Sequence, residues 1–192
     1  MKKRNLWLLL LGILLLSGYL FADDLDPRFH SREEVAWKIP FGRSFNYDNI
    51  MVTRVVDGDT LVLANNERVR LIGIDTPEMH DSDKLNRDAQ RSGQDVGAIK
   101  QLGRRSYEFT KKLVEGKNVR LEFDVERLDK YKRLLAYVYL PDGAMLNAEI
   151  IEQGYASLMT YPPNVKYADL FLKLYRQARE NRRGLWGNGE SR

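Results

Sequence analysis

Val55-Val56-Asp57-Gly58-Asp59-Thr60-Leu61-Val62, followed by Arg70-Leu71-Ile72-Gly73-Ile74-Asp75-Thr76-Pro77-Glu78, sets four carboxylates and one arginine at the ends of short apolar runs. The runs Met51–Val56, Thr60–Ala64 and Arg68–Ile74 are rich in β-branched and aliphatic residues and read as strands. Asn65-Asn66 supplies a hairpin turn between the second and third. Pairing of these strands brings both acidic turns into one neighbourhood. Carboxylates held together repel one another unless a cation lies between them. The pattern therefore points to a site for a hard metal and, through it, a phosphate. Taken singly, each acidic turn is explained as well by turn chemistry, because Gly, Asp and Pro all suit tight turns.

Arg70 precedes Asp75 by five residues, so strict alternation puts the two on opposite faces of a strand. A bulge near Gly73 resets that register. Arg133 follows the polar turn Asp129-Lys130-Tyr131-Lys132 and leads into another strand. Either arginine could be a solvated strand end. A guanidinium can also take two phosphate oxygens through parallel hydrogen bonds, which lysine cannot do.

Outward from this core, Asp81 to Gly97 is polar and holds two glycines, and reads as a long surface loop. A helix is expected over Ala98–Val114, with Ala98, Leu102, Phe109 and Leu113 on one face, Ser106 in line and Gly116 as its stop. Val119, Leu121 and Phe123 alternate as a strand, and Arg133–Leu140 forms another, closed by Pro141-Asp142-Gly143. Met145–Gln153 reads as a short helix ended by Gly154. Tyr167–Asn181 is the last helix, with Leu170, Leu174 and Ala178 inward. About five strands with a helix inserted after the third describe a small barrel of the α+β class with about three helices.

The chain of 192 residues is long enough to bury a core, and it contains no cysteine, which excludes disulfides, thiolate metal sites and thiol nucleophiles. Its formal charge of +4 is weak support for a polyanion partner. Lys2, Lys3 and Arg4 account for most of it, while the segment 23–50 is acidic. Those three basic residues precede an uncharged, mostly aliphatic run from Asn5 to Ala22. As a helix this run would be roughly 27 Å long, slightly short of a bilayer core. Residues 1–22 thus read as an apolar helix serving as a cleaved export signal or a retained signal anchor. Ala22 is a possible cleavage position, but Leu20 fits the small-x-small pattern poorly. Both readings put the remainder outside the cytoplasm, secreted or held to the membrane through residues 5–22. Residues 23–48 form a linker or arm, 49–188 the domain and 189–192 a tail.

Over roughly Ile50 to Gly187 the sequence resembles the thermonuclease, or staphylococcal nuclease-like, family. The resemblance rests on residues 55–60 and 70–78, Asp-Lys-Tyr-Lys-Arg at 129–133, Leu-Asn-Ala-Glu-Ile-Ile-Glu-Gln-Gly-Tyr-Ala at 146–156 and Gly-Leu-Trp at 184–186. It implies an OB-fold barrel and Ca2+-dependent cleavage of DNA and RNA that leaves a 3′-phosphate. It assigns Asp59 and Asp75 as metal ligands, with Thr76 offering its main-chain carbonyl. Glu78 would act on the attacking water, and Arg70 and Arg133 on the scissile phosphate. Asp57 becomes a turn or outer residue. Lys130, Tyr131 and Tyr161 are the expected substrate contacts, and no obligate protein partner is expected. Family members usually have glycine where this chain has Lys132, which bears on the aim of Arg133. The longer loop over 80–97 also departs from the family and bears on substrate preference. His80 reads as a solvated loop residue and Trp186 as core packing. The competing reading is a catalytically silent OB-fold module that binds nucleic acid or protein in the cell envelope.

Overall fold

The structure is a computed structural model and describes residues 46–187. The apolar segment 1–22, nearly all of the 23–48 arm and the 189–192 tail lie outside the described residues. Among the described residues, no helix is long and apolar enough to cross a membrane.

Within the described residues seven strands run in chain order: β1 (Ile50–Asp57), β2 (Thr60–Leu63), β3 (Arg68–Leu71), β4 (Gly73–Asp75), β5 (Asn118–Glu122), β6 (Leu134–Tyr139) and β7 (Ser157–Met159). Five close into a barrel in the order β1-β2-β3-β6-β5. Within it β3 and β6 are parallel and the other paired neighbours antiparallel. Val52, Leu61, Leu63, Val69, Leu71, Ala136 and Val138 are buried in the core. The expected α+β barrel is therefore present.

Gly73 marks where the chain leaves that barrel. Its φ of +83° is a left-handed value that suits glycine, and the next strand, β4, pairs with β7 in a separate two-stranded sheet. A break between two strands, rather than a bulge inside one, thus removes the strict alternation between Arg70 and Asp75.

Among the described residues, four helices pack around the strands: α1 (Asp83–Ser92), α2 (Val96–Val114), α3 (Leu146–Glu152) and α4 (Ala168–Glu180). A 3-10 turn spans Gly184–Trp186. α1 corrects the expectation of a surface loop over 81–97. Ser82 caps it by accepting a hydrogen bond from the Leu85 amide at 3.1 Å, and Gly93 ends it at φ +68°. Leu85 is its one buried residue. A helix with so little apolar surface carries almost no periodic signal.

The inner face of α2 is Ile99, Gly103, Ser106, Thr110 and Val114, so that every expected position except Ser106 is moved on by one. This face meets backbone more than side chains. The Thr110 hydroxyl donates to the Gly58 carbonyl and that of Ser106 to the Tyr155 carbonyl, both at 2.8 Å. Small and hydroxylated residues let main chain approach, and the larger apolar residues flank them. In α4 the buried residues are Phe171 and Ala178, whereas Leu170 is 40% exposed. Phe171 fills the space that Gly73 leaves open, since a Cβ on Gly73 would stand 2.6 Å from its ring. Trp186 packs edge-on against Tyr175 with ring centres 5.5 Å apart, in keeping with a packing role.

Candidate active site

The β1–β2 turn is built around Asp59. The Asp57 carboxylate accepts from the Asp59 amide at 3.2 Å, so Asp57 shapes the turn. Gly58 is required by closeness: a Cβ there would lie 2.7 Å from the Thr76 methyl and 2.9 Å from Ser106 Cβ. The two acidic turns are thereby pressed together. Buried Asp59 accepts from the Thr76 amide at 2.8 Å and the Thr76 hydroxyl at 3.0 Å on one oxygen. Its other oxygen takes the Thr60 hydroxyl and forms an ion pair with Arg70.

Arg70 bridges the two turns. One end of its guanidinium pairs with Asp59, and the other lies 2.8 Å from Asp75 Oδ1. This planar fork holds both aspartates in a single register.

Lys84, from the first turn of α1, enters the same cluster and was not anticipated. Its Nζ lies 2.9 Å from Asp75 Oδ1, 3.1 Å from the Thr76 carbonyl and 3.0 Å from Glu78 Oε1. Burial pulls the Lys84 ammonium toward neutrality, but the Asp75 and Glu78 carboxylates outweigh it and raise its pKa above the ordinary lysine value. The only signal in the sequence was Ser82 as a helix cap three residues before an apolar Leu85.

Among the described residues, no three His, Cys, Asp or Glu side chains converge as a metal-binding group. The donor chemistry nevertheless fits a hard cation. One cation, the Lys84 ammonium, is already held by two carboxylates and a main-chain carbonyl. Oxygens of that kind are what Ca2+ takes.

Glu78, Arg70 and Arg133 share one cleft of about 590 Å³ with Lys130, Tyr131 and Tyr161. Tyr131 and Tyr161 stand at its rim, 68% and 71% exposed. Asp75 and Thr76 border a second depression, shared with Asp88 and Arg91 of α1. Glu78 thus lines the open cleft while its Oε1 also pairs with Lys84, and Asp75 and Thr76 lie toward α1. His80 is exposed.

Asp129 organises the arginine on the far wall. Its carboxylate accepts from the Tyr131 amide at 2.8 Å, the Arg133 amide at 2.9 Å and Arg133 Nε at 2.7 Å. Burial pushes the Asp129 carboxyl up, but the Arg133 amide and guanidinium outweigh it and hold it below the usual value. Lys132 sits inside this loop at φ +63°, adopting the left-handed backbone otherwise suited to glycine.

The model of the family described as staphylococcal nuclease homologue matches residues 68–188. The thermonuclease of Staphylococcus intermedius is 39% identical over 142 residues, covering 72% of this chain and 76% of that protein. The thermonuclease of Staphylococcus hyicus is 33% identical over 146 residues, covering 74% of this chain and 78% of its own. Endonuclease YncB of Bacillus subtilis is 34% identical over 143 residues, covering 72% of this chain and 61% of its own.

Proposed function

The chain belongs to the staphylococcal nuclease homologue family, and from that premise we propose that it is a Ca2+-dependent nuclease cleaving DNA and RNA with little sequence preference. The observation that carries this reading is the shared cleft, which Glu78, Arg70 and Arg133 line together with two exposed tyrosines.

Hydrolysis of a phosphodiester forms a bond from water to phosphorus as the bond to the leaving oxygen breaks. Glu78 orients that water and takes its proton, a role that typically contributes about 10²–10⁴-fold. Negative charge grows on the phosphoryl oxygens, and the guanidiniums of Arg70 and Arg133 oppose it from fixed positions. Loss of one such donor typically costs about 10²–10³-fold. Asp75 and the Thr76 carbonyl would hold the calcium ion, with Asp59, which fixes Thr76 in place, completing the proposed ligand set. When bound, the ion supplies further positive charge against the phosphate. Lys130, Tyr131 and Tyr161 would grip the flanking nucleotide through charge and ring stacking.

The N-terminal run supports export. The domain over residues 49–188 is proposed to work outside the cytoplasm, secreted or tethered through residues 5–22. Weak calcium binding would suffice there, because extracellular sites typically work at about 10⁻⁴–10⁻³ M. Mass spectrometry of the cellular protein tests whether residues 1–22 persist.

The deciding experiment is digestion of single-stranded DNA and of RNA by the purified chain, with Ca2+ and then with excess chelator. Cleavage that needs Ca2+ is expected. A folded protein without it would leave the reading of a silent binding module.

A further inference from the structure

An ammonium has three N–H donors, and in Lys84 all three have an oxygen acceptor at 2.9–3.1 Å: Asp75 Oδ1, the Thr76 carbonyl and Glu78 Oε1. Two of these belong to the proposed metal ligands and the third to the group proposed to act on water. Asp75 Oδ1 also accepts from Arg70 at 2.8 Å, so the same oxygen serves two cations. The placement of Lys84 is specified locally. The Ser82 cap sets the first turn of α1, and the neighbouring Leu85 is fully buried and anchors it. Two carboxylates that would otherwise repel are bridged by a cation belonging to the chain.

We infer that Lys84 is an intramolecular competitor for the metal site, which a divalent ion must displace from Asp75, Thr76 and Glu78 in order to bind. The inference rests on the calcium reading above. Its consequence is that the metal affinity of the site is set by α1. The apparent dissociation constant equals the intrinsic one divided by the fraction of molecules in which Lys84 has withdrawn. If that fraction is on the order of a tenth or less, removing the ammonium tightens the site about tenfold or more. Release of Lys84 also frees Glu78 Oε1 to face a water in the cleft, so metal binding and freeing of the base become one event.

The test compares Ca2+ binding by the full chain and by Lys84→Gln and Lys84→Arg, using isothermal titration calorimetry without nucleic acid. Lys84→Gln is expected to bind Ca2+ at least about tenfold more tightly, and Lys84→Arg to stay near the unaltered protein. A folded Lys84→Gln that binds Ca2+ with equal or weaker affinity overturns the inference and leaves the calcium reading standing. Absence of binding by any of the three, each folded by circular dichroism, removes both. A second measurement needs no variant. Acetylation of Lys84 in the unaltered chain, followed by mass spectrometry, is expected to accelerate when Ca2+ is added. An unchanged rate at saturating Ca2+ overturns the inference even if Lys84→Gln fails to fold.

Discussion

Gly103, midway along α2, lies directly against the backbone of Glu78: a Cβ at position 103 would stand 2.6 Å from the Glu78 carbonyl carbon and oxygen. The helix thereby acts as a stop for the segment that carries the proposed base. The neighbouring Pro77 carbonyl would be 2.7 Å from the same Cβ, so any side chain there pushes the whole turn.

Gly103→Ala is therefore expected to displace Glu78 while the barrel, which lies elsewhere, stays closed. A misplacement of about 1 Å can cost on the order of 10²-fold in rate. Single-turnover cleavage beside circular dichroism checks this. A fully active Gly103→Ala protein would show that the Glu78 turn yields without consequence.

The two arginines are expected to separate activity from stability. Arg70→Ala and Arg133→Ala should each lower cleavage by about 10²-fold or more. Arg70→Ala alone leaves the buried Asp59 carboxylate without its cation. Breaking a buried pair from one side costs roughly 3–5 kcal/mol. Asp129 is nearer the surface and keeps two backbone donors when Arg133 is removed. The cost there should be about 1 kcal/mol or less. Urea unfolding of both variants provides the comparison.

Glu78→Gln is expected to lose at least about 10²-fold in rate with little change in substrate binding. Binding is measured as the dissociation constant for a short single-stranded oligonucleotide.

Lys132→Gly should raise stability slightly. A left-handed backbone costs a non-glycine residue roughly 1–2 kcal/mol. The extra unfolded-state freedom of glycine offsets about 0.5–1 kcal/mol of that. A net gain of about 1 kcal/mol or less is expected in chemical denaturation, with cleavage preserved because the Asp129–Arg133 bonds remain.

The Asp129 carboxyl is held below its ordinary value in the folded protein, burial being outweighed by the Arg133 amide and guanidinium. The stability it contributes is complete above the unfolded carboxyl value of about 3.9. It disappears as pH falls through the lower folded value. Asp129→Asn should therefore flatten the loss of stability below about pH 4. Thermal melts from pH 2 to 7 show whether it does. Glu122 and Asp124 shift in the same direction, so the variant will retain part of the acid sensitivity.

The barrel strands were legible because burial imprints a local period. Ile50 and Val52, or Leu61 and Leu63, announce a strand without reference to anything distant. The acidic turns were legible for a related reason, since Gly and Asp shape tight turns through their own backbones. α1 was not, because a helix with one buried residue leaves no stripe to read. The inner face of α2 was misjudged by one residue because Gly103, Ser106 and Thr110 face main chain, where smallness and hydrogen bonding matter more than hydrophobicity.

By itself, then, the sequence determined the barrel, the two acidic turns and the arginines that accompany them, all through short-range pattern and turn chemistry. Only the tertiary structure decided what each charge touches. The strand break at Gly73 brings Arg70 onto Asp75, and α2 sets the position of Glu78 through Gly103. α1 carries Lys84 onto the Asp75 and Thr76 oxygens that the family resemblance assigns to a metal, and onto Glu78, which it assigns to the attacking water. Ion pairing depends on distances of about 3 Å between separately folded segments, and no period in the chain encodes such an approach.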